Sequence, residues 1–405
     1  MPSYNLSDIN GFTALVKGEQ NDSVWYTAHK YSTKANETYS VVRYNKETLS
    51  ADLVNTYGLL RSVILSGSNI VSFAPQKSVP AELFMTQYPL SNGANCCITA
   101  EQFIEGTMIN VFFDPTYNCW QIATRNTVGA DVTFYKDSVK TFNEMFMDAC
   151  MCNNLNIQTL NPNCCYSFVL QHPLNRIVVP FKTPQLYLVA VYEILQTPDT
   201  VTVLEKNMAE VWLNGLWSQT SIKFPKVYSF TSYTELIERF ASPNTPYDIL
   251  GIVVKNLETG DRTKFRNPIY EEIRHLRGNQ PKLQYQYLTL RHSGKLSEFL
   301  RYYPETKNEM SKFRDQVHMF TNALHKNYIS CYVKKEKPLK EFSNQYRTHM
   351  YKIHQIFLND LRPQSLFVTN TVVIKYVNEL HPSLLMHCLN YNMRKRMVDT
   401  IKTDV

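Results

Sequence analysis

The hydrophobic pattern of this 405-residue chain changes near residue 267, and this change limits the possible folds more than any other feature. Before it, short runs of β-branched and aromatic residues alternate with turn signals, which predicts strands and hairpins. After it, longer amphipathic segments are separated by proline or glycine, which predicts helices. The sequence therefore predicts an α+β domain of antiparallel sheets and helices over residues 1–267, followed by an all-α domain over residues 268–405.

The charges divide at nearly the same place. Residues 1–261 carry 17 lysines and arginines against 23 aspartates and glutamates, whereas residues 262–405 carry 25 against 12. A basic half joined to an acidic half indicates a polyanion partner for the basic half. A solvated, lysine-rich helical surface is the other interpretation of the same charges.

Composition predicts a folded cytoplasmic protein without membrane association. The chain is 44% hydrophobic and 19% charged, which excludes an intrinsically disordered chain. The first residues lack a secretory leader, and the longest apolar stretch, residues 186–195, is about half a membrane span. The nine cysteines match no secreted disulfide pattern, so we expect reduced thiols. Four of them lie between residues 150 and 165, but their spacing fits no standard zinc site, and no metal is expected.

Seven short segments within the first 267 residues occur in an order and at spacings that resemble one enzyme family. The most specific contains Asn175-Arg176-Ile177-Val178, and another is Phe103-Ile104-Glu105-Gly106-Thr107. Together they resemble the RNA ligase 1 family of covalent nucleotidyltransferases, which includes phage tRNA-repair ligases. The resemblance covers about residues 35–267. The segments are residues 60–64, 74–78, 103–108, 122–129, 168–178, 249–254 and 263–266.

The resemblance implies a nucleotidyltransferase fold, which is the ATP-grasp-like adenylation domain, and a pocket for a nucleotide. In this family a lysine in a Lys-x-Asp/Glu-Gly element attacks ATP and forms a lysyl-adenylate. Other matched positions imply contacts to phosphate, ribose or metal. The residual nucleotide or anion pocket implied for this chain consists of Arg61, Lys77, Glu105, Arg125, Arg176, Lys264 and Arg266.

Three departures fall on the positions that carry the family's chemistry. Phe103 stands at the lysine position and has no amine, while Val169 and Leu250 stand at two glutamate positions and cannot ligate Mg²⁺. We therefore predict no catalytic residue and no cofactor. If Lys77 or Lys264 had taken over as nucleophile, ATP and Mg²⁺ would be required. The remaining carboxylate, Glu105, is either a pocket contact or a strand-end residue without function.

The basic second domain interleaves aromatic residues with cations, as in Tyr332-Val333-Lys334-Lys335-Glu336-Lys337. Tyrosine and arginine stack on unpaired bases and lysine neutralises phosphates, so RNA or another polyanion is the expected partner. A protein-docking surface and an ordinary basic surface are the alternatives. The candidate nucleic-acid residues are Arg274, Arg277, Arg301, Lys334, Lys335, Arg347, Arg394, Lys395 and Arg396.

Three functions remain open at this point. The first is a catalytically inactive, RNA-ligase-like pseudoenzyme that binds RNA or another polyanion. The second is a structural or assembly protein that uses the fold as a scaffold in a large DNA virus, because asparagine- and tyrosine-rich chains with degenerate ligase motifs resemble proteins of such viruses. Its location would be the host cytoplasm or the virion. The third is an active ATP-dependent RNA ligase with a relocated lysine.

Overall fold

The computed structural model of the chain describes residues 1–19, 23–90, 97–134 and 139–393. It contains two compact units, Met1–Arg274 and His275–Val405. Sheets and short helices form the first unit and helices form the second, which confirms the α+β and all-α classes. The sequence predicts the division at residue 267, and the units divide seven residues later. The helix Pro268–Arg277 contains this division, and the hydroxyl of its Tyr270 is hydrogen-bonded to Glu105 of the first unit.

The described part of the first unit contains fourteen strands in three sheets, and every pairing inside these sheets is antiparallel. The strands are β1 Ser3–Asn5, β2 Tyr26–Ser32, β3 Thr38–Tyr44, β4 Val63–Ser66, β5 Asn69–Phe73, β6 Ile98–Gln102, β7 Thr107–Asp114, β8 Cys119–Ala123, β9 Cys164–Gln171, β10 Gln185–Gln196, β11 Val201–Glu205, β12 Val227–Tyr228, β13 Gly251–Asn256 and β14 Arg262–Arg266. The accompanying helices are α1 Phe12–Val16, α2 Ala81–Gln87, α3 Phe142–Cys152, α4 Met208–Leu213, α5 Gly215–Ser218, α6 Tyr233–Phe240 and α7 Pro268–Arg277.

A six-stranded sheet, ordered β1–β11–β10–β9–β7–β8, carries a hydrophobic core on each face. One core joins it to the sheet β2–β3–β4–β5 and includes Phe73 and Phe112. The other includes Phe146 of α3 and Phe168 of β9. Because β9 is covered on both faces, its sequence is a continuous apolar run rather than an alternation.

The cysteines considered as zinc ligands are distributed between these two cores. Cys165 belongs to the core shared by the two sheets, whereas Cys150 and Cys164 belong to the core beneath α3. Within the described residues, no group of three or more histidine, cysteine, aspartate or glutamate side chains is arranged to hold a metal ion. Burial raises the pKa of Cys165 and Cys150 to about 12, so both remain thiols at neutral pH.

The third sheet, ordered β12–β6–β13–β14, positions the candidate site. Its core includes Phe84 of α2, Leu236 of α6 and Ile252 of β13. In β14 the side chains alternate, because successive residues of a strand point to opposite faces. Thr263 and Phe265 are buried on the core side. The cations that alternate with them, Arg262, Lys264 and Arg266, point the other way.

The sequence predicts a strand over residues 176–179, and this prediction is wrong. A short 3₁₀ helix, Pro173–Asn175, precedes this segment. The backbone N–H groups of Val178 and Val179 then donate to the Glu105 carboxylate instead of to a neighbouring strand. A side chain more than 70 residues away in sequence therefore supplies the acceptor that a strand partner would have supplied.

The described part of the second unit consists of helices. α10 and α11 each continue directly into a five-residue π-helical turn, Ile329–Val333 and Phe357–Leu361 respectively. Across the described residues, every helix is too short or too polar to span a lipid bilayer. The helices are α8 Leu283–His292, α9 Leu296–Tyr302, α10 Lys307–Tyr328, α11 Asn344–Ile356, α12 Asn370–Glu379 and α13 Pro382–Leu389.

Candidate anion-binding site

A cavity of about 720 Å³ lies in the first unit, bordered by β7 and β9 of the six-stranded sheet and by β6, β13 and β14 of the third sheet. It brings together segments that are up to 200 residues apart in sequence. Five of the seven predicted pocket residues line it, together with the three departures from the ligase pattern. These lining residues are Arg61, Phe103, Glu105, Arg125, Val169, Leu250, Lys264 and Arg266.

The register of the third sheet explains why β14 faces the cavity with cations. Arg262, Lys264 and Arg266 are two residues apart and share one face of β14. Val253 of β13 pairs with Lys264 on one side and with Glu101 of β6 on the other, and all three line the cavity. A single row of paired residues therefore crosses the cavity wall.

Phe103, at the position of the ligase nucleophile, contacts two of these cations. The Lys264 amine nitrogen is 4.7 Å from the centroid of the Phe103 ring, and the Arg266 guanidinium carbon is 5.3 Å from it. Both distances are those of cation–π contacts. The ring therefore stabilises the two cations beside it.

Several lining cations have no carboxylate partner. Arg266 and Arg274 both form ion pairs with Glu271. In the described part of the chain, none of Arg61, Arg125 and Lys264 forms an ion pair. Arg61 donates to the Pro75 carbonyl oxygen at 3.3 Å, and the Arg125 guanidinium carbon is 5.2 Å from the centroid of the Tyr44 ring. A carbonyl dipole or an aromatic ring compensates a positive charge only partly. The cavity is therefore suited to bind an anion.

The pKa values of two lining cations are lowered, because these side chains are buried close to other positive charges. Burial, followed by the neighbouring Arg262, Arg61, Arg266 and Lys77, lowers the pKa of Lys264 well below its usual range. Burial, followed by Arg262 and Arg125, lowers the pKa of Arg61 to about 10. An arriving anion would raise both pKa values again, so binding is coupled to proton uptake by Lys264.

The two glutamate positions of the ligase pattern are filled by hydrocarbon. Val169 is 6% exposed and Leu250 is 8% exposed, and both line the cavity. Neither offers an oxygen, and hard divalent cations require oxygen ligands. The carboxylates that line the same cavity are Glu101 and Glu105, and burial raises the pKa of both. The residues present therefore do not fit a protein-held Mg²⁺ ion.

The glycines next to the lost functional groups are required by the backbone. Gly106 has φ +149°, and a Cβ there would lie 2.4 Å from the Leu170 carbonyl oxygen. Gly251 has φ +136°, and its Cβ would lie 2.1 Å from the Phe265 carbonyl oxygen. Both values are far inside van der Waals contact, so only glycine allows these strands to approach so closely.

Glu105 has a structural role that neither sequence interpretation anticipated. Its buried carboxylate accepts hydrogen bonds from the backbone N–H groups of Val178 at 2.9 Å and Val179 at 3.1 Å, and it is bonded to the Tyr270 hydroxyl. Burial raises its pKa, and the backbone hydrogen bonds partly oppose this increase. Glu105 lines the cavity, but its oxygens are engaged in holding the segment 176–179.

Two predicted pocket residues do not line the cavity. Arg176 turns back on its own segment, where its Nε donates to the Val178 carbonyl oxygen at 2.9 Å. Lys77 lies outside the lining, although burial and then Arg61, Arg266 and Arg125 lower its pKa. Lys77 therefore belongs to the same electrostatic environment without bordering the space itself.

Sequence reasoning missed some residues of the cavity. Arg262 lines it, and its Nε donates to the Gln76 carbonyl oxygen at 3.1 Å. Its position two residues before Lys264 on a predicted strand was a signal that could have found it. Glu101 gave no such signal, since it is a polar residue at the end of an unremarkable strand. Arg274, predicted as a nucleic-acid residue, also lines this cavity.

The other predicted nucleic-acid residues have different surroundings. Arg277 is only 8% exposed, so its prediction as a surface contact is wrong, because α7 turns this position inward. The Arg301 guanidinium carbon lies 4.8 Å from the centroid of the half-buried Tyr302 ring, and Arg347 donates to the Lys340 carbonyl oxygen at 3.4 Å. Lys334 and Lys335 are exposed. Arg394, Lys395 and Arg396 lie outside the described residues.

Two curated proteins are similar to this chain in sequence. The immediate-early protein ICP-46 homolog of Invertebrate iridescent virus 6 is 24% identical over 314 residues, covering 71% of this chain and 66% of that protein. An RNA ligase of Rhodothermus phage RM378 is 23% identical over 268 residues, covering 60% of this chain and 58% of that protein. The match thus spans less than two thirds of each relative. The resemblance to RNA ligases inferred from the motifs is confirmed.

Solved structures with a likeness to this chain are also ligases. A putative ATP-dependent DNA ligase from Aquifex aeolicus has a TM-score of 0.37 at 11% identity, covering 74% of this chain and 78% of that chain. An archaeal ATP-dependent RNA ligase has a TM-score of 0.32 at 8% identity, covering 93% of this chain and 77% of that chain. No protein-family model matches the sequence.

Proposed function

We propose that this chain is an RNA-ligase-like protein that binds the phosphates of RNA or a nucleotide in its first unit and no longer forms a lysyl-adenylate. The observation that carries the proposal is Phe103. It stands at the nucleophile position and is in cation–π contact with Lys264 and Arg266. The cations suited to a phosphate are present, and the attacking amine is absent from that position.

The charges of the cavity support a phosphate ligand. Arginines form paired hydrogen bonds with phosphate oxygens, and such charge-assisted bonds are strongest where water is excluded. Arg61 and Lys264 are both buried enough for their pKa values to fall. A dianionic phosphate would relieve their mutual repulsion without a protein-held metal ion.

RNA is the proposed source of that phosphate. The phage relative is named an RNA ligase, and the second unit of this chain carries 21 lysines and arginines against 10 aspartates and glutamates. A basic surface of this kind favours a long polyanion over a free nucleotide. Both curated relatives come from viruses, which supports a location in the host cytoplasm or the virion.

The test is direct binding of a fluorescent oligoribonucleotide that carries either a 5′-phosphate or a 5′-hydroxyl. The phosphorylated RNA is expected to bind more tightly, and Lys264→Ala to remove most of that difference, about 10- to 100-fold. Lys30→Ala is the matched control, because Lys30 is an exposed lysine on β2 of the same unit. Equal binding of both RNAs by the wild type, or an unchanged preference in Lys264→Ala, would contradict the proposal.

A second experiment tests whether the protein still forms a covalent adenylate with ATP. Incubation with α-labelled ATP and Mg²⁺ or Mn²⁺, followed by a denaturing gel, is expected to leave the protein without covalent label. A labelled band would instead point to an active enzyme.

An active ligase with a relocated lysine is the second candidate, and Lys264 is the residue that favours it. Burial and neighbouring cations lower its pKa, which increases the neutral amine, and its nitrogen lies over the Phe103 ring. In this reaction the amine attacks the α-phosphorus of ATP. A P–N bond forms, pyrophosphate leaves, and the amine proton passes to solvent. Covalent label that disappears in Lys264→Ala but persists in Lys77→Ala would establish this candidate and overturn the first.

A further inference from the structure

Four aromatic rings of the second unit form a series of contacts. The rings of Tyr332 and His354 are 3.9 Å apart between centroids and inclined by 15°. Tyr328 lies 5.2 Å from Tyr332, and Phe357 lies 5.8 Å from His354. The interplanar angles of these outer pairs are 32° and 23°. Tyr328 also lies 6.2 Å from His354 at an angle of 46°, and its hydroxyl is hydrogen-bonded to His354 Nδ1 at 3.3 Å. The four rings therefore form a series of contacts centred on the nearly parallel pair Tyr332–His354.

The two π-helical turns produce this series. Tyr332 lies in the turn Ile329–Val333 that ends α10, and Phe357 begins the turn Phe357–Leu361 that ends α11. A π turn changes the side-chain spacing of an α-helix, and such turns are frequent at functional sites. His354, on the last turn of α11, is thereby placed against both rings. Burial lowers the pKa of His354, so its ring is neutral at pH 7.

The series extends to the protein surface. α11 turns Met350 and Ile353 completely inward, whereas Tyr351 is 53% exposed. Tyr332 and His354 are half-buried. Burial raises the pKa of Tyr332, and the adjacent Cys331 and Tyr351 add to this effect. Tyr351 precedes His354 by three residues on α11, so both lie on neighbouring positions of one helix face, and Tyr351 is open to solvent.

Backbone hydrogen bonds fix the segment that carries Lys334 and Lys335, directly after the π turn. The backbone N–H of Lys334 donates to the Ile329 carbonyl oxygen at 2.9 Å, and that of Glu336 donates to Ser330 at the same distance. Lys335 has φ +56°, a left-handed conformation that is uncommon for lysine. The chain thus folds back on the π turn, and the side chains of Lys334 and Lys335, two and three residues after Tyr332, are exposed. Lys334 also forms an exposed ion pair with Glu336 at 3.6 Å, which a phosphate would have to replace.

We propose that this aromatic–lysine surface, formed by Tyr332, Lys334, Lys335, Tyr351 and His354, binds single-stranded RNA. Bases stack on exposed aromatic rings and lysines neutralise the adjoining phosphates, which requires no particular sequence. Duplex RNA fits poorly, because its bases are already stacked and face one another. The basic excess of the second unit favours RNA over a protein partner. This inference rests on the proposed function in taking RNA as ligand, but it involves residues of the second unit alone.

The experiment measures binding of a 12-nucleotide single strand with a 5′-hydroxyl and a 3′ fluorophore to the full chain by fluorescence anisotropy. Tyr351→Ala is expected to weaken binding about tenfold, since one base–ring stack is lost. Tyr351→Phe retains the ring and should bind like the wild type. This pair separates stacking from the hydroxyl group, and Tyr351 is exposed enough for both variants to fold.

The lysines are tested through salt dependence. The double variant Lys334→Gln/Lys335→Gln should reduce the slope of log Kd against log salt by about 1.4, because two phosphate contacts to a single strand are removed. Lys30→Gln in the first unit is the control and should leave the slope unchanged. An unchanged slope in the double variant would mean that these lysines do not contact RNA.

Two outcomes would overturn the inference. One is wild-type affinity in Tyr351→Ala, the result expected if the surface docks a protein. The other is equal affinity for the same RNA as a duplex. Failure here is distinguishable from failure of the proposed function, which is measured by the 5′-phosphate preference and its loss in Lys264→Ala. Lys264→Ala should change only the 5′-phosphate preference, and Tyr351→Ala should change only the affinity for the 5′-hydroxyl single strand.

Discussion

The three departures from the ligase pattern are electrostatically compatible with one another. They are Phe103, Val169 and Leu250. With the two carboxylate positions filled by hydrocarbon, a lysine at position 103 would add a positive charge beside Lys264 and Arg266. A ring attracts these cations instead, by about 0.5–2 kcal/mol for each contact. A phenylalanine at position 103 is therefore expected to be more favourable for stability than a lysine, given Val169 and Leu250.

Phe103→Lys alone is expected to restore no adenylylation, because Val169 and Leu250 still leave no oxygen ligands for a metal ion. It should also lower the midpoint of urea unfolding, since it replaces attraction by like-charge repulsion. Assays with α-labelled ATP and urea titrations check the two parts. Phe103→Leu, which removes the ring without adding a charge, is the control. Ligase activity in Phe103→Lys would show that the site does not require the missing carboxylates.

Glu105→Gln is expected to destabilise the first unit by about 2 kcal/mol, because a charged acceptor of several buried hydrogen bonds becomes a neutral amide. The amide also turns an N–H₂ group toward the backbone donors of Val178 and Val179. Urea denaturation followed by tryptophan fluorescence measures the change. Glu82→Gln, at an exposed position on α2, should have no effect. Equal stability of both variants would exclude the structural role.

At the scale of strands and helices, part of the site could be predicted and part could not. Alternation along β14 is visible in the sequence and places Lys264 and Arg266 on one face. The position of Arg176 was not predictable, because it depends on an acceptor, Glu105, that binds its segment from the distant connection between β6 and β7. Arg277 was misplaced because helical periodicity alone does not reveal which face of a short helix is buried.

Gly251→Ala is expected to destabilise the first unit by about 3 kcal/mol or more, since its Cβ would collide with the Phe265 carbonyl oxygen. Gly67→Ala is the matched control. Gly67 also has a positive φ, +59°, but a Cβ there would have nothing within 4 Å. Its cost should be only the conformational penalty of about 1–2 kcal/mol. Thermal or urea unfolding compares the two, and equal costs would show that the strands can separate without loss.

His349 is expected to make the stability of the helical unit depend on pH. Its ring is 4% exposed and bonded to the Tyr376 hydroxyl at 2.8 Å and to the Cys388 sulfur at 3.1 Å. Burial, followed by Lys352, lowers the pKa of His349 below its unfolded value. The unfolded chain therefore binds more protons as the pH falls below about 6.5, and stability decreases with falling pH.

Urea unfolding at pH 7.5 and pH 5.5 measures this dependence. The decrease should be smaller in His349→Gln than in the wild type, whatever the effect of the substitution at pH 7.5. It should not vanish, because burial also lowers the pKa values of His172 and His354. An identical decrease in the variant would assign the dependence to other groups.

At the scale of the whole molecule, the two units differ in charge. Residues 1–274 carry 21 lysines and arginines against 25 aspartates and glutamates, and residues 275–405 carry 21 against 10. Six of the 21 lysines and arginines of the first unit line its cavity, while the overall charge of the unit repels polyanions. The second unit attracts polyanions through its overall charge.

Expressed separately, residues 275–405 are expected to leave a heparin column at higher salt than residues 1–274, because long-range attraction follows net charge. The elution salt concentration of each chain is the measurement, and circular dichroism confirms that each is folded. The reverse order would mean that the local field of the cavity outweighs the charge of the unit.

The close strand approaches at Gly106 and Gly251 have a consequence for how such proteins diverge. Side chains that perform chemistry project into open space, so a lineage can exchange them at little cost to folding. A glycine whose missing Cβ makes room for a carbonyl oxygen cannot be exchanged in this way. Mutations that are not selected against therefore remove an activity before they disrupt the fold. Descendants that have lost their chemistry are then easier to recognise by their glycines than by their nucleophile.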